Sequence, residues 1–285
     1  MTTPNIPRFN KGAYYLTGCQ MTYLTTTTMS IAVGQARDST NSNDINVTSA
    51  VTINVRNNGV NGLDQGTFAP NTFYGVYVIG NSNANDTTLL AAAVQPTPPI
   101  QPPTTITAST GGLFQPGQAI LSANLTTPVL PVGYDMYRRV GYILSNATAA
   151  PNTLILKFDQ VGNNSQRWFY YDAPIVCLAA TAQAGFTALN INVTNNSVPT
   201  PLQSNVLFEA TLLPNAAGNY VALQPGSSAN ATGYYARMSG DVAAVAHVGD
   251  MTVPFSTVAG NPTINYKTDA ASTVALNVVG YLDLL

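Results

Sequence analysis

The chain has 285 residues, 45% hydrophobic and only 8% charged, with a formal net charge of −2 at pH 7. Globular domains carry about 25% charged residues. Here the ten Lys and Arg are scattered, with Arg138-Arg139 the only adjacent pair, which excludes the clustered basic groove of a nucleic-acid binder; no apolar run approaches the roughly 20 residues of a membrane helix.

Thr, Asn, Ser and Gly interleave with Val, Ile, Leu, Ala and Tyr, and Glu209 is the sole glutamate. Such a chain lacks helix formers and abounds in strand and turn formers. The reading is all-β: two β-sandwich, jelly-roll-like units with long loops and an irregular N-terminal arm. Residues 1–28 are the expected arm, since Pro4, Pro7, Gly12 and the run Thr25-Thr26-Thr27-Thr28 break regular structure. The first twelve residues lack the basic-then-apolar order of a secretory leader, so synthesis in a cytoplasm is expected.

Residues 29–198 are predicted to form the first sandwich. Met29-Ser30-Ile31-Ala32-Val33 is a short apolar strand. Ile45, Val47, Val51, Ile53 and Val55 then alternate with polar residues, the period-2 signature of a half-buried strand, and Asn57-Asn58-Gly59 closes it. Aromatic and β-branched residues throughout 73–79 predict a strand covered on both faces. Prolines between Gln95 and Pro103 predict an extended polyproline excursion, continued as loop to residue 116. Residues 154–158 and 167–171 look like a hairpin turned by Gly162-Asn163-Asn164, with 175–179 extending the same sheet.

The break Pro199-Thr200-Pro201 marks the expected start of a second, smaller β domain, 199–285. Just before it, 186–193 alternate. Beyond it, residues 206–213, 219–223, 234–238, 242–247, 251–258 and 274–282 are strand candidates at the short spacing of sandwiches and barrels.

Residue types for chemistry are scarce. His247 is the only histidine, and Asp241 and Asp250 lie near it, but Gly-x-Ser-x-Gly is absent and the flanking run is apolar and alternating. A strand histidine with a satisfied hydrogen bond is the preferred reading over a Ser-His-Asp triad. Asp135, Asp159 and Asp172 supply carboxylates without a spacing that singles out a glycosidase pair. Asp38-Ser39-Thr40-Asn41-Ser42-Asn43-Asp44 offers oxygens for calcium but lacks the glycine and terminal glutamate of an EF-hand loop, so a solvated turn is preferred. Cys19 and Cys177 read as two buried free thiols. The densest cluster is Gly133-Tyr134-Asp135-Met136-Tyr137-Arg138-Arg139. It is read first as a framework that pins two sheets, and second as a carbohydrate- or partner-binding patch joined by Trp168 and Tyr170.

Several segments resemble, in order, those of tailed-bacteriophage virion proteins described as tail-fibre-like or head-surface components. They are Ser30-Ile31-Ala32-Val33-Gly34-Gln35-Ala36-Arg37-Asp38-Ser39-Thr40, Gly62-Leu63-Asp64-Gln65-Gly66, Asn71-Thr72-Phe73-Tyr74-Gly75-Val76-Tyr77-Val78-Ile79 and Leu130-Pro131-Val132-Gly133-Tyr134-Asp135-Met136-Tyr137-Arg138-Arg139-Val140-Gly141. The resemblance covers about residues 29–172 and implies a β-structured, non-enzymatic, homo-oligomeric (often trimeric) virion component. No catalytic, cofactor or metal residue carries over. The absence of a coiled-coil stalk or collagen-like repeats favours a capsid decoration or head-fibre protein contacting the major capsid or tail proteins. The alternative is a tail fibre or tail-attached adhesin binding host-surface glycan; a capsule-degrading enzyme comes third.

Overall fold

The computed structural model describes residues 15–82, 117–192, 196–200, 204–228, 233–258, 260–269 and 271–285. The proline-rich excursion and the first half of the expected arm lie outside the described residues. The strands of the first unit are β1 (Leu16–Gly18), β2 (Met21–Thr25), β3 (Thr28–Ile31), β4 (Gly34–Arg37), β5 (Asp44–Val47), β6 (Val51–Asn54), β7 (Phe73–Gly80), β8 (Gln118–Ser122) and β9 (Met136–Leu144). Those of the second are β10 (Phe158–Gly162), β11 (Gln166–Thr181), β12 (Thr187–Asn190), β13 (Asn205–Leu213), β14 (Tyr220–Pro225), β15 (Ala236–Ser239), β16 (His247–Pro254), β17 (Ser256–Val258), β18 (Asn261–Thr268) and β19 (Thr273–Leu284). The protein is all-β, and every pairing between these strands is antiparallel.

The first unit holds three small sheets, ordered β1-β4-β5, β2-β3-β6 and β8-β7-β9. The second is a sandwich of one sheet ordered β10-β11-β19-β13-β16 and another ordered β12-β18-β14-β15, with β17 on β18. The boundary expected at residue 199 is therefore displaced. β10 and β11 precede it yet hydrogen-bond into the sheet built by β13, β16 and β19, so the second unit begins at Phe158. A proline-flanked break punctuates the chain locally but does not decide which strands pair. One contiguous apolar core runs through both units, from Leu16 to Tyr281.

The arm expected over residues 1–28 is regular in its second half, where β1 and β2 lie. The threonine run is a hairpin turn: Thr25 Oγ1 accepts from the Thr27 and Thr28 amides at 3.2 and 3.1 Å and pairs with the Thr28 hydroxyl at 2.7 Å. Threonine hydroxyls that bond their own backbone make turns as well as breaks.

The alternation over 45–55 is real, and all five apolar residues are buried. It is nevertheless two strands, β5 and β6, in different sheets, so the chain turns a sandwich corner without changing the parity of its inward positions. The segment expected to be covered on both faces is β7, central in its sheet and buried at every residue.

The hairpin expected around Gly162 forms one step later than its apolar residues suggest. Its first strand is β10, and 154–158 instead approaches through an isolated bridge between Ser145 and Ile155. β11 absorbs the expected 175–179 extension into a single 16-residue strand. Residues 242–247, expected as a strand, form an exposed turn that β16 leaves only at His247. Ala244 sits at φ 55°, and its amide bonds to the Pro214 carbonyl, which ends any ladder there. β8 and β18 escaped the sequence reading: β8 is a short apolar run beside the proline-rich segment, and β18 opens on Asn261-Pro262, a pair that reads as a turn.

Candidate functional site

The Tyr-Arg cluster folds into β9 and the segment before it. β7 and β9 are in register with Tyr77 opposite Arg139 and Ile79 opposite Tyr137. Tyr77, Ile79 and Ile120 form a small second core on this face, closed by Leu130, Tyr134 and Tyr137. The Tyr77 and Tyr137 rings meet edge to face, 5.8 Å between centroids. Tyr77 donates to the Asn124 carbonyl at 3.1 Å, which ties the covering segment down. Beside this core opens a cleft of about 360 Å³ lined by residues including Ser39, Tyr77, Thr126, Tyr137, Arg138, Arg139, Tyr142 and Leu285. That is the lower end of the roughly 300–1,000 Å³ typical of small-molecule pockets.

Electrostatics assigns Arg139 to the framework. Its Nη1 donates to both carboxylate oxygens of Asp283, at 2.8 and 2.7 Å, and its Nη2 donates to the Leu284 carbonyl at 3.0 Å. The guanidinium lies 4.4 Å from the centre of the Tyr142 ring. Burial opposes its charge most, but the Asp283 carboxylate together with the Tyr142 and Tyr77 phenols prevails and holds its pKa above the ordinary arginine value. The sheet-pinning reading of the cluster therefore holds for Arg139, which fastens β9 to the last strand. Burial also pushes the Tyr142 phenol up to about 12, partly offset by Arg139. Asp135 is a local cap, accepting from the Ser82 amide at 2.7 Å and from the Ser82 hydroxyl.

A second polar junction lies behind the first. Arg167, 3% exposed, donates through Nη1 to the Cys19 carbonyl at 2.9 Å and through Nη2 to the Gly18 carbonyl at 2.5 Å. Gln160 receives the Met21 amide at 2.8 Å. Together these bonds fix β10 and β11 to the turn between β1 and β2. Cys19 and Cys177 are buried free thiols, as expected. Burial raises Cys19 to about 11, against the pull of Arg167, and Cys177 to about 12, far from the lowered values that make a thiol a nucleophile.

The remaining candidates do not converge. His247 opens edge strand β16; its Nε2 is enclosed and, contrary to the satisfied histidine expected, has no hydrogen-bond partner among the described residues. Asp172 pairs with Lys157 at 2.6 Å on the surface, and Asp159 faces Tyr170 across the β10–β11 ladder. The carboxylates that register does set opposite one another are Glu209 and Asp250, which sequence spacing could not reveal because β13 and β16 are distant in the chain. Like charges directly opposite on a sheet are destabilising. Among the described residues, no group of three His, Cys, Asp or Glu could hold a metal ion.

The segment 38–44, expected as a solvated turn in preference to a calcium loop, is a turn capped by a buried carboxylate. Asp38, 3% exposed, accepts from Thr40 Oγ1 at 2.6 Å and from the Ser42 and Asn43 amides at 2.7 and 3.0 Å. Asp44 pairs with Arg37 at 3.1 Å. Burial works to raise the Asp38 pKa, but those hydrogen bonds and the Arg37 charge prevail and hold it below the ordinary carboxylate value. A carboxyl whose pKa is lower in the fold than in the unfolded chain stabilises at neutral pH, and that contribution is lost as pH falls through the folded value. Asp38→Ala should cost about 1–3 kcal/mol at pH 7, and the gap to wild type should narrow as pH drops through the carboxylate range. Urea denaturation of both proteins from pH 7 downward checks this; a pH-independent gap would mean that charge plays no part.

No family model matches the sequence, and no curated protein matches it. Among solved structures, a carbohydrate-binding module from Cellvibrio mixtus lichenase 5A in complex with cellotriose is 15% identical, over 46% of this chain and 87% of its own, with a TM-score of 0.21. The structure of infectious bursal disease virus Gx strain is 12% identical, over 96% of this chain and 67% of its own, with a TM-score of 0.18. At these scores neither likeness bears on function.

Proposed function

We propose that this protein is a structural component of a tailed-bacteriophage particle, a homo-oligomeric capsid-decoration or head-fibre protein that works by packing against copies of itself and against neighbouring virion proteins. The turn between β15 and β16 carries this reading. Residues 241–246 are all exposed, and Val242, Val245 and Val248 stand 54, 49 and 64% open. Leu213, 44% exposed, adjoins them through the Pro214–Ala244 hydrogen bond. From residue 238 to 248 the only charged side chain is Asp241. Apolar surface gains about 25 cal/mol per Å² on leaving water, and a tip this poor in charge meets its symmetry mates with few like-charge contacts repeated around the axis.

The combined variant Val242→Asp, Val245→Asp, Val248→Asp should convert a trimer to a monomer in analytical ultracentrifugation. Its thermal transition should stay near that of the isolated subunit, because exposed substitutions change stability by no more than about 0.5 kcal/mol each. A wild-type protein that sediments as a monomer and is missing from purified particles would overturn the reading.

A further inference from the structure

The outer face of the sheet where β10, β11 and β19 run side by side carries a feature that the proposed packing surface at the β15–β16 turn does not include. Along β11, Arg167, Phe169 and Tyr171 are buried in the sandwich, so Trp168, Tyr170 and Asp172 project to the opposite face. The ladder register extends this face sideways into rows. Val161, Trp168 and Leu282 form one row; Asp159, Tyr170 and Gly280 form the next. Beyond them the exposed Lys157–Asp172 pair closes the strip. The Trp168 and Tyr170 rings lie nearly parallel, 19° between planes and 5.9 Å between centroids.

The surroundings of this ring pair say what fits it. Gly280 sets no side chain beside Tyr170. Glycine is obligatory there because a Cβ would collide with the Phe169 carbonyl oxygen, so a demand of the backbone leaves the flank of Tyr170 bare. On the other flank Asp159 is exposed and makes no ion pair or hydrogen bond among the described residues. Val161 at 56% and Leu284 at 47% exposure prolong the apolar surface. Aromatic faces carry negative quadrupole charge and attract polarised C–H groups. A protein partner closing over the strip would bury Asp159 while the nearby Lys157 ammonium is already paired with Asp172, which is costly. A cationic ligand would meet the Lys157 ammonium, which is within Coulombic reach of Asp159. A neutral ligand with one apolar face and a rim of hydroxyl donors satisfies every group present.

We propose that this strip is a saccharide-binding platform. The C–H face of a pyranose ring lies on Trp168 and Tyr170, and its hydroxyls donate to the Asp159 carboxylate. Affinity per site is modest because the platform is open, and repetition of the chain in an oligomer would multiply it.

The test is a printed array of microbial and animal oligosaccharides probed with the labelled full chain, followed by titration of the glycans retained. Trp168 is the only tryptophan, so its emission reports occupancy directly. Trp168→Ala and Tyr170→Ala should each weaken retention about tenfold, Asp159→Asn should weaken it less, and Trp168→Phe should keep most of it, guarding against a folding artefact. Wild-type protein that retains no glycan, or retention equal in all four variants, overturns the proposal. So does a change of sedimentation in place of retention, since the strip would then be a contact between copies. Glycan loss at unchanged oligomer mass keeps this inference separate from the packing role.

Discussion

Asp283→Ala should destabilise the fold by about 3–5 kcal/mol, the range for breaking a buried ion pair from one side. Asp283 is 1% exposed near the end of β19 and takes both of its short hydrogen bonds from Arg139. Arg167 contributes a second positive charge within Coulombic reach. Without the carboxylate, Arg139 would remain against the Tyr142 ring with one carbonyl as its hydrogen-bond partner among those described, and a largely desolvated guanidinium without a counter-ion is the costly species. The double variant Arg139→Met, Asp283→Leu should recover most of the loss, because exchanging a whole buried pair for apolar side chains is often neutral. Guanidinium denaturation of wild type, single and double variants measures both quantities. A single-variant cost below about 1 kcal/mol, the range of exposed pairs, would show that water reaches the site and that the pin is not a buried one.

Gly18→Ala should cost about 2–5 kcal/mol, with left-handed backbone strain and overpacking acting together. Gly18 holds φ 61° where β1 meets β4, directly opposite Gly34. A Cβ at Gly18 would strike the Val33 carbonyl oxygen, and one at Gly34 would strike the Thr17 carbonyl oxygen and the Cys19 amide. The listening post for any shift is Arg167, whose guanidinium binds the Gly18 and Cys19 carbonyls and thereby couples the first unit to the second. The loss should therefore appear in the global unfolding transition, and Gly34→Ala should behave alike without adding in full to it, since the two positions share one contact. If Gly18→Ala instead melted only a local segment at low temperature and left the main transition unmoved, the two units would not be joined through this junction.

The cluster around Arg139 illustrates how far residue order reaches. Its density of functional groups was visible in the chain, and so was the choice between a framework and a patch. The partner that decides for the framework, Asp283, lies 144 residues away, and no local pattern names it. Residue type alone groups Trp168 and Tyr170 with this cluster, because aromatic residues suggest binding wherever they stand. The structure places them on another sheet, facing outward beside Asp159 and Gly280. His247 and the Asp38 turn show the same limit: residue order favours a satisfied strand histidine and a solvated turn, whereas His247 Nε2 has no hydrogen-bond partner among the described residues and Asp38 is buried beneath three hydrogen bonds.

Composition and period-2 alternation by themselves determined that this protein is all-β, that β7 is buried on both faces, and that Cys19 and Cys177 are buried thiols. Those outcomes follow from side-chain size and polarity acting over a few residues. Only the tertiary structure decided that β11 pairs with β19, that the second unit begins at Phe158 and not after Pro199, that 242–247 is an exposed turn, and which side chains share the outer face of the β10–β11–β19 strip. Antiparallel partners are chosen by shape and by charge neutralisation between segments far apart in the chain. Every alternating strand offers the same backbone groups to every other, so the choice is settled only when all of them compete for one core.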